Sequence, residues 1–327
     1  MISRVADHCF WLGRYIERAE STARLLQVTR TLAFDAELPA VSCWRPLVIV
    51  SGQYPEFAAR LGADATGNGE VAQRYMTWAP ENPTSMRCSV RAAREGARSI
   101  REVLGHDIWE ATNLLFLWFM GEAAATEYLQ DRDEFYRHVR RSTQLCLGLV
   151  RSTMLHDEPM DFLWLGVLLE RVGQTARTLD MHFHIRGAAE KQAQPLLQNA
   201  LSLSLLRACS GFEAYMRKQQ GRVSGETVSA FLLFDERFPR SLRYCLRTAL
   251  ALIKRLPSAR SGGILAARKR LDALDRWLDD QEKAGAPVSE HALLTKVVDE
   301  IAAACGEVQG GFEGEAPAPA VQPEAAQ

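Results

Sequence analysis

Trp11-Leu-Gly-Arg-Tyr-Ile-Glu-Arg-Ala-Glu-Ser-Thr-Ala-Arg-Leu-Leu26 returns later in the chain as Trp164-Leu-Gly-Val-Leu-Leu-Glu-Arg-Val-Gly-Gln-Thr-Ala-Arg-Thr-Leu179. Trp11 falls on Trp164 at an offset of 153 residues, and nine of the sixteen positions are identical. About one identity would be expected from average composition. A second pair keeps the same order. Pro83, Ser85, Arg87, Arg91 and Ala93 fall on Pro239, Ser241, Arg243, Arg247 and Ala249 at an offset of 156 residues. Two motifs repeated at nearly one spacing predict duplication of a whole unit. The expected fold is all-α, a multi-helix bundle of two pseudo-symmetric repeats, each opening with a Glu-Arg helix.

Wound at about 100° per residue, the first stretch gathers Trp11, Leu12, Tyr15, Ile16, Ala19, Ala23 and Leu26 on one broad apolar face. Gly13, Glu17, Glu20 and Arg24 form the opposite stripe, with Arg14 and Arg18 at its edge. The second stretch places Gly166, Glu170, Gly173 and Arg177 on the equivalent stripe. A glycine inside a helix costs about 1 kcal/mol against alanine, so glycines at matched places predict close approach of a helix or a ligand. Three readings follow. Glu17, Arg18, Glu170 and Arg171 form ion pairs that lock the repeats together, with reciprocal contacts as at an isologous interface. Alternatively the stripes line a cleft, with Glu17 or Glu170 as acid, base or metal ligand and arginines holding an anion. The third is a solvated charged surface.

Helical periodicity continues along the rest of the chain, and Gly and Pro cluster between the periodic segments. Ser3 suits the N-cap of a helix reaching about Glu37. Pro46 and Pro55 predict short helices, residues 62–69 an exposed loop, and residues 70–78 a short helix. Further helices are expected from Ser85 to about Leu104, Gly105 to about Leu129, Arg132 to Leu155, and Asp161 to Ile185, with Gly187 as terminator. Others are expected over about 190–218, 225–234, 241–256, 264–283 and 288–305. Residues 1–307 read as a single domain with halves at about 1–155 and 156–307. Residues 308–327, rich in Gly, Pro, Ala, Glu and Gln, read as a disordered tail.

The 327 residues are 47% hydrophobic, ample for a large core, and 39 basic against 40 acidic residues leave a formal charge of −1. That balance argues against a nucleic-acid reader. Seven cysteines at wide spacing, with no Cys-x-x-Cys, read as reduced core residues. Neither a signal peptide nor an apolar run of membrane-spanning length is evident, which predicts a cytoplasmic protein without membrane association.

Other clusters carry residue types suited to chemistry. His182 and His184 point about 200° apart on a helix and cannot share a metal there. Glu95 has Arg91 and Arg98 within helical reach, as a charged face or as a network meeting the Glu-Arg helices. Trp109-Glu110 and Asn113 lack evident partners in sequence. A di-metal bundle would want Glu-x-x-His on facing helices, and Glu134 with His138 is one residue too long. No Walker loop, dinucleotide fingerprint or Gly-x-Ser-x-Gly elbow occurs. No metal or cofactor is expected.

These motifs resemble the bacterial alpha-E domain family. Trp11 to Glu20, Ser3-Arg-Val-Ala6, Asn82-Pro-x-Ser85, Ala93-Arg-Glu-x-Ala-Arg98, Trp109-Glu110 with Asn113, Leu165 to Arg171, and Phe238-Pro-Arg-Ser241 all fit it. The resemblance spans nearly the whole chain before the tail. It implies an accessory or scaffold partner of a system that makes, modifies or trims a peptide. The partners it implies are a circularly permuted ATP-grasp protein and a transglutaminase-like protein, or the peptide itself. The alternative is an enzyme of that system working acyl or amide chemistry. Glu17 and Glu170 are then the catalytic candidates. The binding candidates are Arg14, Arg18, Arg24, Arg94, Glu95, Arg98, Glu110, Asn113, Arg171, Arg177 and Arg240. Val167 and Gly173 depart from the polar residues usual in the second helix.

Overall fold

A computed structural model describes residues 3–35, 38–189, 195–219, 223–256, 262–285 and 291–313. The described residues form helices joined by turns and short links, without strands. The first part contains α1 (Ser3–Asp35), α2 (Ala40–Val50), α3 (Tyr54–Leu61), a 3-10 turn (Ala63–Gly67) and α4 (Gly69–Trp78). It continues with α5 (Met86–Ser99), α6 (Arg101–Leu104), α7 (His106–Met120), α8 (Glu122–Gln130) and α9 (Arg132–Thr153). The second part contains α10 (Glu158–Ala189), α11 (Pro195–Ala208), α12 (Phe212–Lys218) and α13 (Gly225–Phe234). It ends with α14 (Leu242–Arg255), α15 (Gly262–Lys283) and α16 (His291–Glu313).

Side-chain caps start several of these helices. The Asn68 carboxamide accepts from Glu70 N at 2.9 Å, and Asp131 accepts from Glu134 N at 2.9 Å. The paired motif serines do the same, Ser85 for Cys88 N at 3.2 Å and Ser241 for Tyr244 N at 3.1 Å. Each satisfies an amide that the first helical turn leaves orphaned.

α1 and α10 form the central pair. Around α1 pack α5 and α9, and around α10 pack α14 and α16; α7 joins α5 to α9, and α15 joins α14 to α16. One apolar core runs from the first half of α1 through α10 to α14, α15 and α16. A second surrounds the later half of α1, with α2, α4, α5, α7 and α9 contributing. α1 is therefore buried on both sides, and its polar stripe faces protein rather than water.

Some expected boundaries move. The helix expected to reach Leu104 breaks at Ile100, whose φ is −129°. The one expected to reach Leu129 breaks at Gly121, which has extended backbone. Gly187 does not end α10, which continues to Ala189. The stretch expected as a tail from residue 308 is helical to Glu313, because Val308 is buried and Phe312 packs edge-on to Phe10 and Phe162. The expectations for residues 36–37, 190–194, 288–290 and 314–327 lie outside the described residues, as does the side chain of Ser3.

Candidate functional site

The seam between α1 and α10 begins with the matched glycines. A β-carbon on Gly13 would overlap the Leu163 carbonyl oxygen and stand 3.1 Å from Val167 N. One on Gly166 would overlap the Phe10 carbonyl oxygen and stand 3.3 Å from Arg14 N. Bare backbone on both helices permits this approach, and it brings the next helical turn of charged side chains together.

Glu170 receives two arginines of α1. Arg14 Nε donates to its Oε2 at 3.0 Å, and Arg18 forks onto it, Nε to Oε1 at 2.8 Å and Nη2 to Oε2 at 2.9 Å. Gln174 Nε2 adds a bond at 3.0 Å. In the opposite sense, Arg171 forks onto Glu17, Nε to Oε1 at 3.1 Å and Nη2 to Oε2 at 2.8 Å. Arg240 donates to Glu17 Oε1 at 2.8 Å and to Glu20 Oε2 at 3.1 Å. The Arg14, Arg18 and Arg171 bonds span 156, 152 and 154 residues. This register advances together along both helices, so α1 and α10 run parallel.

Glu20 is fully buried and also pairs with Arg24, while Gln144 Nε2 donates to its other oxygen at 3.2 Å. Arg24 in turn donates to the Ser210 hydroxyl. Trp11 stacks under the Arg14 guanidinium at 4.5 Å, and Tyr15 lies 5.7 Å from that of Arg18. The aromatic members of the motif thus support the charged ones.

Burial would raise the Glu17 carboxyl, but the Arg171 and Arg240 guanidiniums outweigh it and hold the group down at about 2. Burial likewise opposes ionisation of Glu170, and Arg18 with Arg14 carry it well below the usual carboxylate range. Both oxygens of each carboxylate are occupied by guanidinium donors. A group in this state is a fixed anion, not a proton carrier at neutral pH. Burial, then Arg240, pulls Arg24 down from the ordinary arginine range.

Of the residues singled out in the sequence, Glu17, Glu170, Arg14, Arg18, Arg24, Arg171, Arg177 and Arg240 meet in this seam. Arg94, Glu95, Arg98 and Asn113 form a separate cluster on α5 and α7. Arg94 Nε donates to Asn113 Oδ1 at 3.2 Å, and Glu95 pairs with Arg94 at 2.6 Å and Arg98 at 2.8 Å. The expected Arg91 partner of Glu95 is not used. Arg94 also lies over the Phe116 ring at 5.0 Å. Glu110 is exposed. Glu95 and Arg98 are about half exposed, and no bond among the described residues joins this cluster to the seam.

Sequence reading missed Gln144, Gln174 and Ser210. Ser210 sits at φ 51°, the one positive-φ non-glycine residue among those described. It lies two residues past the end of α11, in the left-handed position where glycine is usual. A cavity of about 440 Å³ lies beside it, lined in part by Arg140, Ser204 and Phe212. A smaller cavity of about 70 Å³ opens on the Glu170 side, against Arg18, Thr22, Thr84, Gln174 and Arg177.

Histidine chemistry also lies elsewhere than the sequence suggests. His182 is buried, and neither ring nitrogen has a partner. His184 instead faces Asp180, one turn back, and Asp180 Oδ1 accepts from His291 Nδ1 at 2.7 Å. One donor atom from each of Asp180, His184 and His291 falls within 4.8 Å of the others, a set that could hold a metal ion. The sequence offered no sign that His291 would join it.

The chain belongs to the Alpha-E family, described as a predicted alpha-helical domain with a conserved ER motif, whose model matches residues 1–312. It is similar to an uncharacterized protein of Mycobacterium bovis, 27% identical over 295 residues. An uncharacterized protein of Mycobacterium tuberculosis is 26% identical over the same length. Each match covers 84% of this chain but 32% of the relative, so the chain spans about a third of the length of the curated relatives it matches. No solved structure matches the chain. No helix among the described residues is long and apolar enough to cross a membrane.

Proposed function

We propose that this chain is a non-catalytic scaffold, an accessory subunit of a peptide-synthesis or peptide-modification system. It holds an ATP-grasp or transglutaminase-like partner, or the peptide product. The observation that carries this reading is the state of Glu17 and Glu170. Their carboxylates are buried and saturated by arginine donors across the seam, which suits a structural lock and leaves neither of them free to act as the acid or base of the enzyme alternative. In the curated relatives the matching stretch is about a third of a longer chain, an arrangement that suits a helical module working beside other machinery. The near-neutral charge supports a protein partner over nucleic acid.

The proposal includes the duplication. Residues 1–307 form one domain whose halves meet at about residue 155. Its support is the reciprocity of the seam: glycine on backbone in both directions, and arginine on glutamate in both directions. The α1–α5–α7–α9 and α10–α14–α15–α16 groupings are alike, each with a Ser-capped helix against its Glu-Arg helix.

Affinity capture of the full chain from its own cells tests the reading. The expected result is co-purification of an ATP-grasp or transglutaminase-like protein, and loss of a peptide species from cells lacking the chain by mass spectrometry. Capture of neither, with an unchanged peptide profile, would overturn it.

A further inference from the structure

The two halves of the seam differ at one place. The repeat correspondence proposed above sets Glu20 opposite Gly173, Arg24 opposite Arg177, and Thr84 opposite Arg240. On one side Glu20 neutralises both Arg24 and Arg240. On the other side that carboxylate is missing. Arg177 makes no hydrogen bond or ion pair among the described residues, and its guanidinium folds back over Gly173, 3.0 Å from where a β-carbon would stand. The short Thr84 leaves unfilled the space that Arg240 occupies in the other half, and the cavity of about 70 Å³ lies there.

Charge reinforces shape. Glu17, Glu20 and Glu170 are outnumbered in the seam by Arg14, Arg18, Arg24, Arg171, Arg177 and Arg240. The surplus is concentrated where Arg177 stands beside the already engaged Arg18. Gln174, Thr22 and Thr84 supply neutral polar groups around the same cavity. Glu170 also lines the cavity and attracts Arg177, but both its oxygens are already taken by Arg14 and Arg18. A guanidinium with no carboxylate bonded to it in a partly desolvated site favours an incoming anion, and its planar fork matches a carboxylate or phosphate.

We propose that the cavity formed by Arg18, Thr84, Gln174 and Arg177 binds the oxyanion of a ligand, a carboxylate or phosphate, in the place that Glu20 fills in the other half. The cavity admits a compact charged group, and the apolar Leu25, Leu47 and Met76 around it receive the adjoining part of the ligand. This goes beyond the scaffold reading but uses its repeat correspondence.

Thermal unfolding of the full chain, titrated separately with acetate and with inorganic phosphate at constant ionic strength, tests the site. Saturable elevation of Tm by either anion is expected, since a ligand bound to the folded state stabilises it by mass action. The anion that acts identifies the source. Gly173→Glu should raise Tm without added anion and abolish the response, because its own carboxylate reaches Arg177. Gly173→Ala, whose β-carbon meets only the movable end of Arg177 and carries no charge, should still respond. Arg177→Gln should not respond, and it decides the matter if Gly173→Glu does not fold. Absence of a response to both anions, or full responses in Gly173→Glu or Arg177→Gln, would sink the proposal. Partner capture is unaffected by that failure, so the two readings fail separately.

Discussion

Gly13 lies against the carbonyl of Leu163 with no room between them for a β-carbon. Neither contacting group is a flexible side-chain end, so neither can swing away. Gly13→Ala, and Gly166→Ala against the Phe10 carbonyl, should therefore each cost about 2–4 kcal/mol, as overpacking that must move a helix. Gly148 is the control. It stands on the exposed face of α9 with open space around it. Gly148→Ala should gain about 0.5–1 kcal/mol. Urea denaturation of the three variants checks the contrast.

Removing one side of the lock should cost more than removing both. Glu17→Ala leaves Arg171 and Arg240 without their shared anion, and breaking a buried pair costs about 3–5 kcal/mol. Adding Arg171→Met to Glu17→Leu replaces the fork with apolar packing, so the double variant should be more stable than the sum of the single losses. A double-mutant cycle measures the coupling. Strict additivity would show that the bonds carry no joint contribution.

Acid should weaken the fold in two stages. Burial holds the His182 imidazole down at about 3, against an ordinary value of 6.5. Below pH about 6.5 the unfolded chain takes a proton that the folded chain refuses, so stability falls with decreasing pH, by up to about 1.4 kcal/mol per unit. That loss ends once pH passes below the folded value. Glu17 acts in the same direction over a lower window. Its contribution is complete above its ordinary value of 4.5 and is lost as pH falls through about 2. Denaturation midpoints should fall between pH about 6.5 and 4.5 in the wild type, and much less in His182→Leu.

Thiol labelling should reveal a single accessible site. Cys88 is partly exposed, and the other six cysteines are buried. Burial pushes the Cys146 and Cys209 thiols up to about 11, and burial with Asp157 pushes Cys9 to about 12. A buried thiol that resists ionisation is a poor nucleophile. Intact-mass analysis after brief alkylation should show one adduct, absent from Cys88→Ser. Several adducts before unfolding would contradict the packing.

Much of this arrangement is legible in the chain itself. The periodicity marks α1 and α10, and Ser85 and Ser241 announce the helices they cap. The stripe of Gly13, Glu17, Glu20 and Arg24 reveals its members but not its surroundings, because α1 is apolar on one face only. Its polar face is buried by guanidiniums, which no hydrophobicity pattern records. The partnership of Arg240 with Glu17 spans 223 residues, and nothing local to either announces it. Local pattern also hides the break at Ile100 and the helical continuation past Val308. In the latter, a tertiary contact of Phe312 overrides a composition rich in glycine.

The parallel seam has a consequence for synthesis. Arg171 and Arg240, the cross-seam partners of Glu17, lie 154 and 223 residues downstream of it. At about 5–20 residues per second, α1 waits on the order of ten seconds or more on the ribosome before either arrives. During that interval Glu17 must stay solvated, so the nascent first half cannot adopt its mature closed form. Closure of the seam around Glu17 therefore waits on the second half of the chain.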